Sequence, residues 1–274
     1  MQCKNCEYSL ETSNKFCPNC GAKIIHHRLT LKNLWSDFSE RFLNYDNSLF
    51  NTMKHMFTKP EVVIENFIGG TRKKYLNVFN YFALAITITG FITFISLKFY
   101  PEIYKEAMNV MSSFQETQAQ KDMMSNTLSG FFDYQSLFYF LTIPVLALIS
   151  KIVFYNYKKY NYTEHTVIYL YAYSHTLVVI NFTYIISLFI NKDVFSYFTL
   201  LSIPFSVLYI AYILKRLFKL TFKQILLKTL LFLLVGIIFY IGIIIIVGII
   251  MIAYMFIDGS FMEMVEQQQR ARGK

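Results

Sequence analysis

The chain has 274 residues, of which 55 % are hydrophobic and 18 % aromatic while only 16 % are charged, and its mean hydropathy is positive. Such a balance lies outside the usual range for a soluble domain of this length. The formal net charge of +9 would suit nucleic acid, but the basic residues gather at the borders of apolar segments, where anionic lipid headgroups meet them. The expected partner is therefore the lipid bilayer, and nucleic acid is not expected.

The first element is a metal knuckle pair. Cys3-x-x-Cys6 and Cys17-x-x-Cys20 are the only cysteines. Two such turns each present two sulfurs to one side, which is what a tetrahedral Zn²⁺ requires. Asn5 and Asn19 precede the second cysteine of each pair, and Gly21 is free to take the positive φ that closes such a turn. Between the knuckles a short hairpin is expected, turning at Ser13-Asn14, with Tyr8, Leu10 and Phe16 as its few apolar residues. So small a segment cannot fold on apolar burial alone, and metal would supply most of its folding free energy, on the order of 10 kcal/mol. Two disulfides are the rival reading, but they need an oxidising compartment, and the N-terminus lacks a signal-peptide pattern. A redox dithiol is disfavoured because no βαβ pattern surrounds the cysteines. Four thiolates leave no open position for water, so Cys3, Cys6, Cys17 and Cys20 are read as ligands of a structural Zn²⁺. Lys4, Lys15, Lys23 and Arg28 serve as counter-charges.

Residues 26–75 read as cytosolic amphipathic juxtamembrane helices. Leu31, Leu34, Trp35, Phe38 and Phe42 share one helical face, with Thr30 as N-cap, and Leu49, Phe50, Met53, Met56 and Phe57 form a second. A third helix is expected to start on a capping box of Thr58 and Glu61, with Pro60 in its first turn, and to stop at Gly69-Gly70. These apolar faces would lie on the inner leaflet or pack beneath the bundle.

Residues 76–257 hold five expected spans, at 76–97, 137–149 extended to 155, 166–190, 195–214 and 229–257, each long enough for a hydrocarbon core of about 30 Å. Lys151 must snorkel in the second. Arg72, Lys73 and Lys74, then Lys158 and Lys159, then Lys215, Arg216, Lys219, Lys223 and Lys228 all fall on one side, which the positive-inside rule assigns to the cytoplasm. The loop at 98–136 is then external, and its run through Ile103, Ala107, Val110, Met111 and Phe114 reads as an interfacial helix. An odd span count puts the tail at 258–274 outside, although that tail carries Arg270, Arg272 and Lys274. Leu141-Thr-Ile-Pro144 and Leu201-Ser-Ile-Pro204 repeat one phrase in the second and fourth spans, which suggests duplicated hairpins.

Within the third span Glu164, Tyr171 and His175 are spaced i, i+7, i+11 and share a helix face, whereas His165 points elsewhere. Ionisable groups in a span are candidate functional residues, here for a small transporter or channel. The bland alternative is a packing stripe, with His175 bonded to a neighbouring tyrosine or serine and Glu164 paired with Lys158 or Lys159. No zincin, nucleotide-loop, nucleophile-elbow or intramembrane-aspartate motif is present, so no enzymatic activity is expected.

Four segments carry a family likeness. They are Cys17-Pro-Asn-Cys20-Gly21, Leu29-Thr-Leu-Lys-Asn-Leu34, Phe67-Ile-Gly-Gly70-Thr-Arg72-Lys-Lys-Tyr75 and Tyr162-Thr-Glu164-His165. Through them the chain resembles a widespread bacterial family of membrane proteins, known only as a domain of unknown function, that joins an N-terminal zinc ribbon to several transmembrane helices. Its membrane architecture is similar to the Yip1-type five-helix proteins of vesicle traffic. The resemblance implies the bacterial cytoplasmic membrane but no activity.

The expectation is thus an all-α polytopic membrane protein of about five transmembrane helices, with a zinc ribbon at 1–25 on the cytosolic side. Its expected role is that of a scaffold, assembly or regulatory protein that meets a protein partner through the ribbon, with homo-oligomers allowed.

Overall fold

The computed structural model describes residues 1–24, 30–32, 48–100, 134–188 and 192–258, with positions 130 and 190. The expected helix through Trp35 and Phe42, the external run from Ile103 to Phe114 and the tail beyond Asp258 lie outside these residues. The chain divides into two units, Met1–Asn47 and Ser48–Lys274. Among the described residues there are seven helices and no strand. They are α1 (Ser48–Thr58), α2 (Pro60–Ile68), α3 (Val78–Phe99), α4 (Gln135–Val153), α5 (Tyr162–Leu188), α6 (Lys192–Phe218) and α7 (Phe222–Asp258).

Four of these contain stretches long and apolar enough to cross a membrane: Val78–Phe99, Gln135–Val153, Leu200–Phe218 and Phe222–Ile246. Helix α5 is long enough but more polar, and its place in the bundle explains why. It packs against α3, α4 and α6, so its polar side chains meet protein instead of lipid. Ser174 donates to the Leu170 carbonyl, Thr176 to Ala172, and Asn181 to both Thr89 and Leu177, each of them buried. A partner within the helix for each of these three side chains offsets the cost of burying it. Helix α7 is the opposite case, apolar on every side and exposed along its outer length, as a lipid-facing helix requires.

The helix ends depart from expectation at two places. Helix α7 begins at Phe222, so Lys223 and Lys228 stand on its first turns and not in a loop. The Thr58–Glu61 capping box does not form. Lys59 is the N-cap of α2 and makes no side-chain cap, Thr58 Oγ1 donates back to the Lys54 carbonyl at 3.0 Å, and Pro60 occupies the first turn. With Pro60 next in line, Thr58 closes α1, and Glu61 turns to Arg216. The expected stop of α2 holds: Gly69 N–H bonds the Glu65 carbonyl and Gly70 takes φ +96°.

Helices α1 and α2 belong to the second unit and pack on the bundle. Met56, Val63 and Ile64 are fully buried in the main core, whereas Phe50 stays exposed. Two tyrosines of α6 close the end of α1. Tyr209 donates to the Met56 carbonyl at 2.9 Å and Tyr212 to that of Phe57 at 3.1 Å, satisfying carbonyls left without an intrahelical donor. Ion pairs hold α2. Arg216 grips Glu61 through two bonds of 3.0 and 2.7 Å, and Lys159 meets Glu65 at 2.7 Å with Tyr160 donating to the same oxygen. Lys151, expected to snorkel, reaches the Tyr160 carbonyl at 2.6 Å. Pro144 and Pro204 both lie inside helices, α4 and α6 respectively.

Candidate metal centre and the polar interior

The head is a repeat of one knuckle at a spacing of 14 residues, with Cys17 in the place of Cys3 and Cys20 in that of Cys6. Cys3 N–H bonds the Tyr8 carbonyl and Cys17 N–H that of Ala22, both at 2.9 Å. Antiparallel bridges join Gln2 to Ser9 and Phe16 to Lys23. The turn after each second cysteine takes positive φ, +60° at Glu7 and +71° at Gly21, and the glycine adopts it without strain. The hairpins are therefore the knuckles themselves. The segment between them makes only a turn, closed from Asn14 N–H to the Glu11 carbonyl, where a hairpin over Ser13-Asn14 was expected.

This doubling brings four sulfurs together. Cys3 and Cys20 are 3.7 Å apart, Cys6 and Cys17 3.6 Å, and all four lie within 4.8 Å of one another. These separations are far beyond a disulfide, at about 2.05 Å. They match the edge of a tetrahedron around Zn²⁺, about 3.8 Å for a Zn–S distance of roughly 2.3 Å. The asparagines cross between the halves: Asn19 Nδ2 reaches Cys6 Sγ at 3.7 Å, and Asn5 bonds Cys20. Asn5, with the Ala22 N–H, pulls the Cys20 thiol down to about 6, which favours its thiolate form. The Tyr8 N–H favours the Cys6 thiolate, but the proton shared with Cys20 and partial burial push Cys6 up to about 11. A cation that ionises the remaining thiols fits this donor set, and the amide donors orient the sulfurs around it.

In the bundle, the three candidate residues of α5 separate. Glu164 is spent on the helix start: Asn161 Oδ1 accepts from Glu164 N–H at 2.9 Å, and Glu164 Oε2 accepts from Asn161 N–H at 2.7 Å, a reciprocal cap. Its expected partner Lys159 is paired with Glu65 instead. Tyr171 and His175, one turn apart, are wholly buried. Tyr171 donates to the Leu76 carbonyl at 2.8 Å. His175 Nδ1 meets the Tyr81 hydroxyl at 2.6 Å, and its ring packs edge-on to Phe57 at 4.4 Å and beside Tyr209 at 5.3 Å. Tyr81 was missed because its position in α3 carries no pattern; only the contact across the bundle reveals it. His165 is also buried, with Nδ1 3.0 Å from Ser150 Oγ.

The architecture is that of a helical membrane protein with a four-cysteine head able to hold a metal ion. Residues 46–90 match the family model described as "Protein of unknown function (DUF3667)". That segment covers α1, α2 and the first part of α3, including Phe67–Tyr75 of the family likeness, the Leu76 carbonyl and Tyr81. No curated protein and no solved structure matches the chain.

Proposed function

We propose that the chain is a non-enzymatic protein of the bacterial cytoplasmic membrane whose head holds one structural Zn²⁺ on Cys3, Cys6, Cys17 and Cys20 and docks a protein partner from the cytosol. The observation that carries the reading is the closed, amide-buttressed set of four sulfurs, a donor set that leaves no position for substrate. Helix α5 acts as a fifth span, central in the bundle and screened from lipid, which puts the N-terminus inside and the C-terminus outside. The occupation of Glu164 by a helix cap and of His175 by Tyr81 supports packing roles for both and argues against a transport pathway along α5. Zinc bound in the head is expected to stabilise 1–24 and leave the bundle's chemistry untouched.

The test reconstitutes the protein, purified without chelator, in proteoliposomes and measures flux of an ion and metabolite panel beside metal content. One zinc per chain and no flux above empty vesicles are expected. Reproducible flux that disappears in His175→Phe would overturn the docking reading in favour of a transporter.

A further inference from the structure

Helices α4, α5, α6 and α7 do not close completely on one another. They leave a partly open cavity of about 240 Å³ walled by Leu146, Tyr169, Ile210, Leu214 and Phe232. Its walls are apolar, and its volume falls below the roughly 300–1,000 Å³ of sites that enclose drug-sized ligands. Leu233 also lines it and is 42 % exposed, so the opening lies beside surface that faces hydrocarbon in a membrane. A water-filled apolar cavity is unfavourable, and an empty one forfeits packing contacts.

One charged residue borders this space. Lys228 Nζ donates to the Val153 carbonyl at 2.6 Å and stands over the rings of Phe154 and Tyr157 at 5.5 and 5.6 Å. An ammonium has three donors, and that bond uses one. The carboxylates of α2 are held elsewhere, Glu61 by Arg216 and Glu65 by Lys159, and among the described residues none lies within ion-pair distance of Lys228. Lys228 is the one charged residue among those that line the cavity.

We infer that the cavity between α4, α5, α6 and α7 holds one acyl chain of an anionic phospholipid whose phosphate is drawn to Lys228. The apolar, narrow space selects a single hydrocarbon chain, and the unneutralised ammonium at its border selects a negative headgroup. The inference rests on the membrane reading above.

The test is native mass spectrometry of the full chain in detergent, with dioleoyl phosphatidylglycerol and dioleoyl phosphatidylcholine as probes. The wild type should retain the glycerol lipid about fivefold better, the factor one lysine near an anionic surface supplies. Lys228→Gln should erase that preference, Lys228→Arg should keep it, and Ala211→Phe, which fills the cavity, should lower retention of both lipids. Glycerophosphoglycerol, a headgroup without chains, should not displace the lipid, and this arm needs no variant to fold. Equal retention of the two lipids by the wild type, undiminished retention by Ala211→Phe, or displacement by the bare headgroup overturns the inference. Release of the protein from membranes by alkaline carbonate would instead sink the membrane reading.

Discussion

Replacing Tyr81 by phenylalanine removes a single oxygen from the centre of the bundle, and its effect is expected to depend on His175. Both side chains are fully buried, and the hydroxyl lies 2.6 Å from Nδ1, while Nε2 has no partner among the described residues. Tyr81→Phe therefore leaves the imidazole without any hydrogen bond in a site closed to water. Leaving one buried polar atom unsatisfied costs about 2 kcal/mol, or roughly 4–8 °C in a protein of this size. His175→Phe alone strands the Tyr81 hydroxyl and adds a crowding cost against Phe57, whose ring is 4.4 Å away. In the double variant neither orphan remains, and the crowding cost enters both sides of the cycle and cancels. Thermal unfolding of the four proteins in one detergent should give a coupling of about 1–2 kcal/mol, with the double variant less destabilised than the sum of the singles. Additivity to within about 0.5 kcal/mol would refute the claim that these groups satisfy one another.

Glu65 gives a pH prediction. Burial raises its pKa, but Lys159 and Tyr160 overcome this and hold it below the ordinary 4.5. The stabilisation from this pair is therefore present above the unfolded value of about 4.3 and lost as pH falls through the lower folded value. Amide exchange in α2 should rise in that acid window, and Glu65→Gln should show the faster exchange at neutral pH with the acid step gone; an unchanged step would be a failure. Cys17→Ser should abolish metal retention and unfold residues 1–24 while far-ultraviolet helicity of the bundle persists, and zinc bound at wild-type stoichiometry would contradict it. Cysteines introduced at Asn109 and Asn191 should react with an impermeant reagent on intact cells and one at Asn161 should not, whereas the reverse pattern would invert the topology.

Features carried by residue identity at short range were legible in the chain. Cysteine spacing foretold the four-sulfur cluster, and the paired glycines foretold the end of α2, because a turn and a helix stop are decided within a few residues. The long apolar runs became helices for the same reason. The reciprocal cap of Asn161 and Glu164 was written just as locally, yet a carboxylate at the mouth of an apolar span reads equally well as a charge that needs a basic partner. The seating of α1 and α2 could not be read. It depends on tyrosines more than 150 positions distant that bond backbone carbonyls, and a carbonyl has no letter of its own. The knuckle hairpins were misplaced because a two-residue bridge is too short for any alternation of apolar and polar residues to mark it.

Those backbone contacts have a consequence for how the chain tolerates change. Tyr209 and Tyr212 address α1, Tyr171 addresses the Leu76 peptide, Lys159 the end of α6 and Lys228 the end of α4, in every case through a main-chain oxygen. The bond itself needs only the backbone path of the receiving segment, but Met56, Leu76, Val153 and Leu217, which supply these oxygens, are also buried in the core. Mutational sensitivity at these joints should therefore differ in kind, with the donors sensitive to loss of the hydroxyl or ammonium and the acceptors sensitive only to side-chain volume. A scan of this protein would then map its helix ends as pairs in which one position demands a particular polar group and the other accepts any apolar side chain of similar size, a signature that contacts between two polar side chains do not leave.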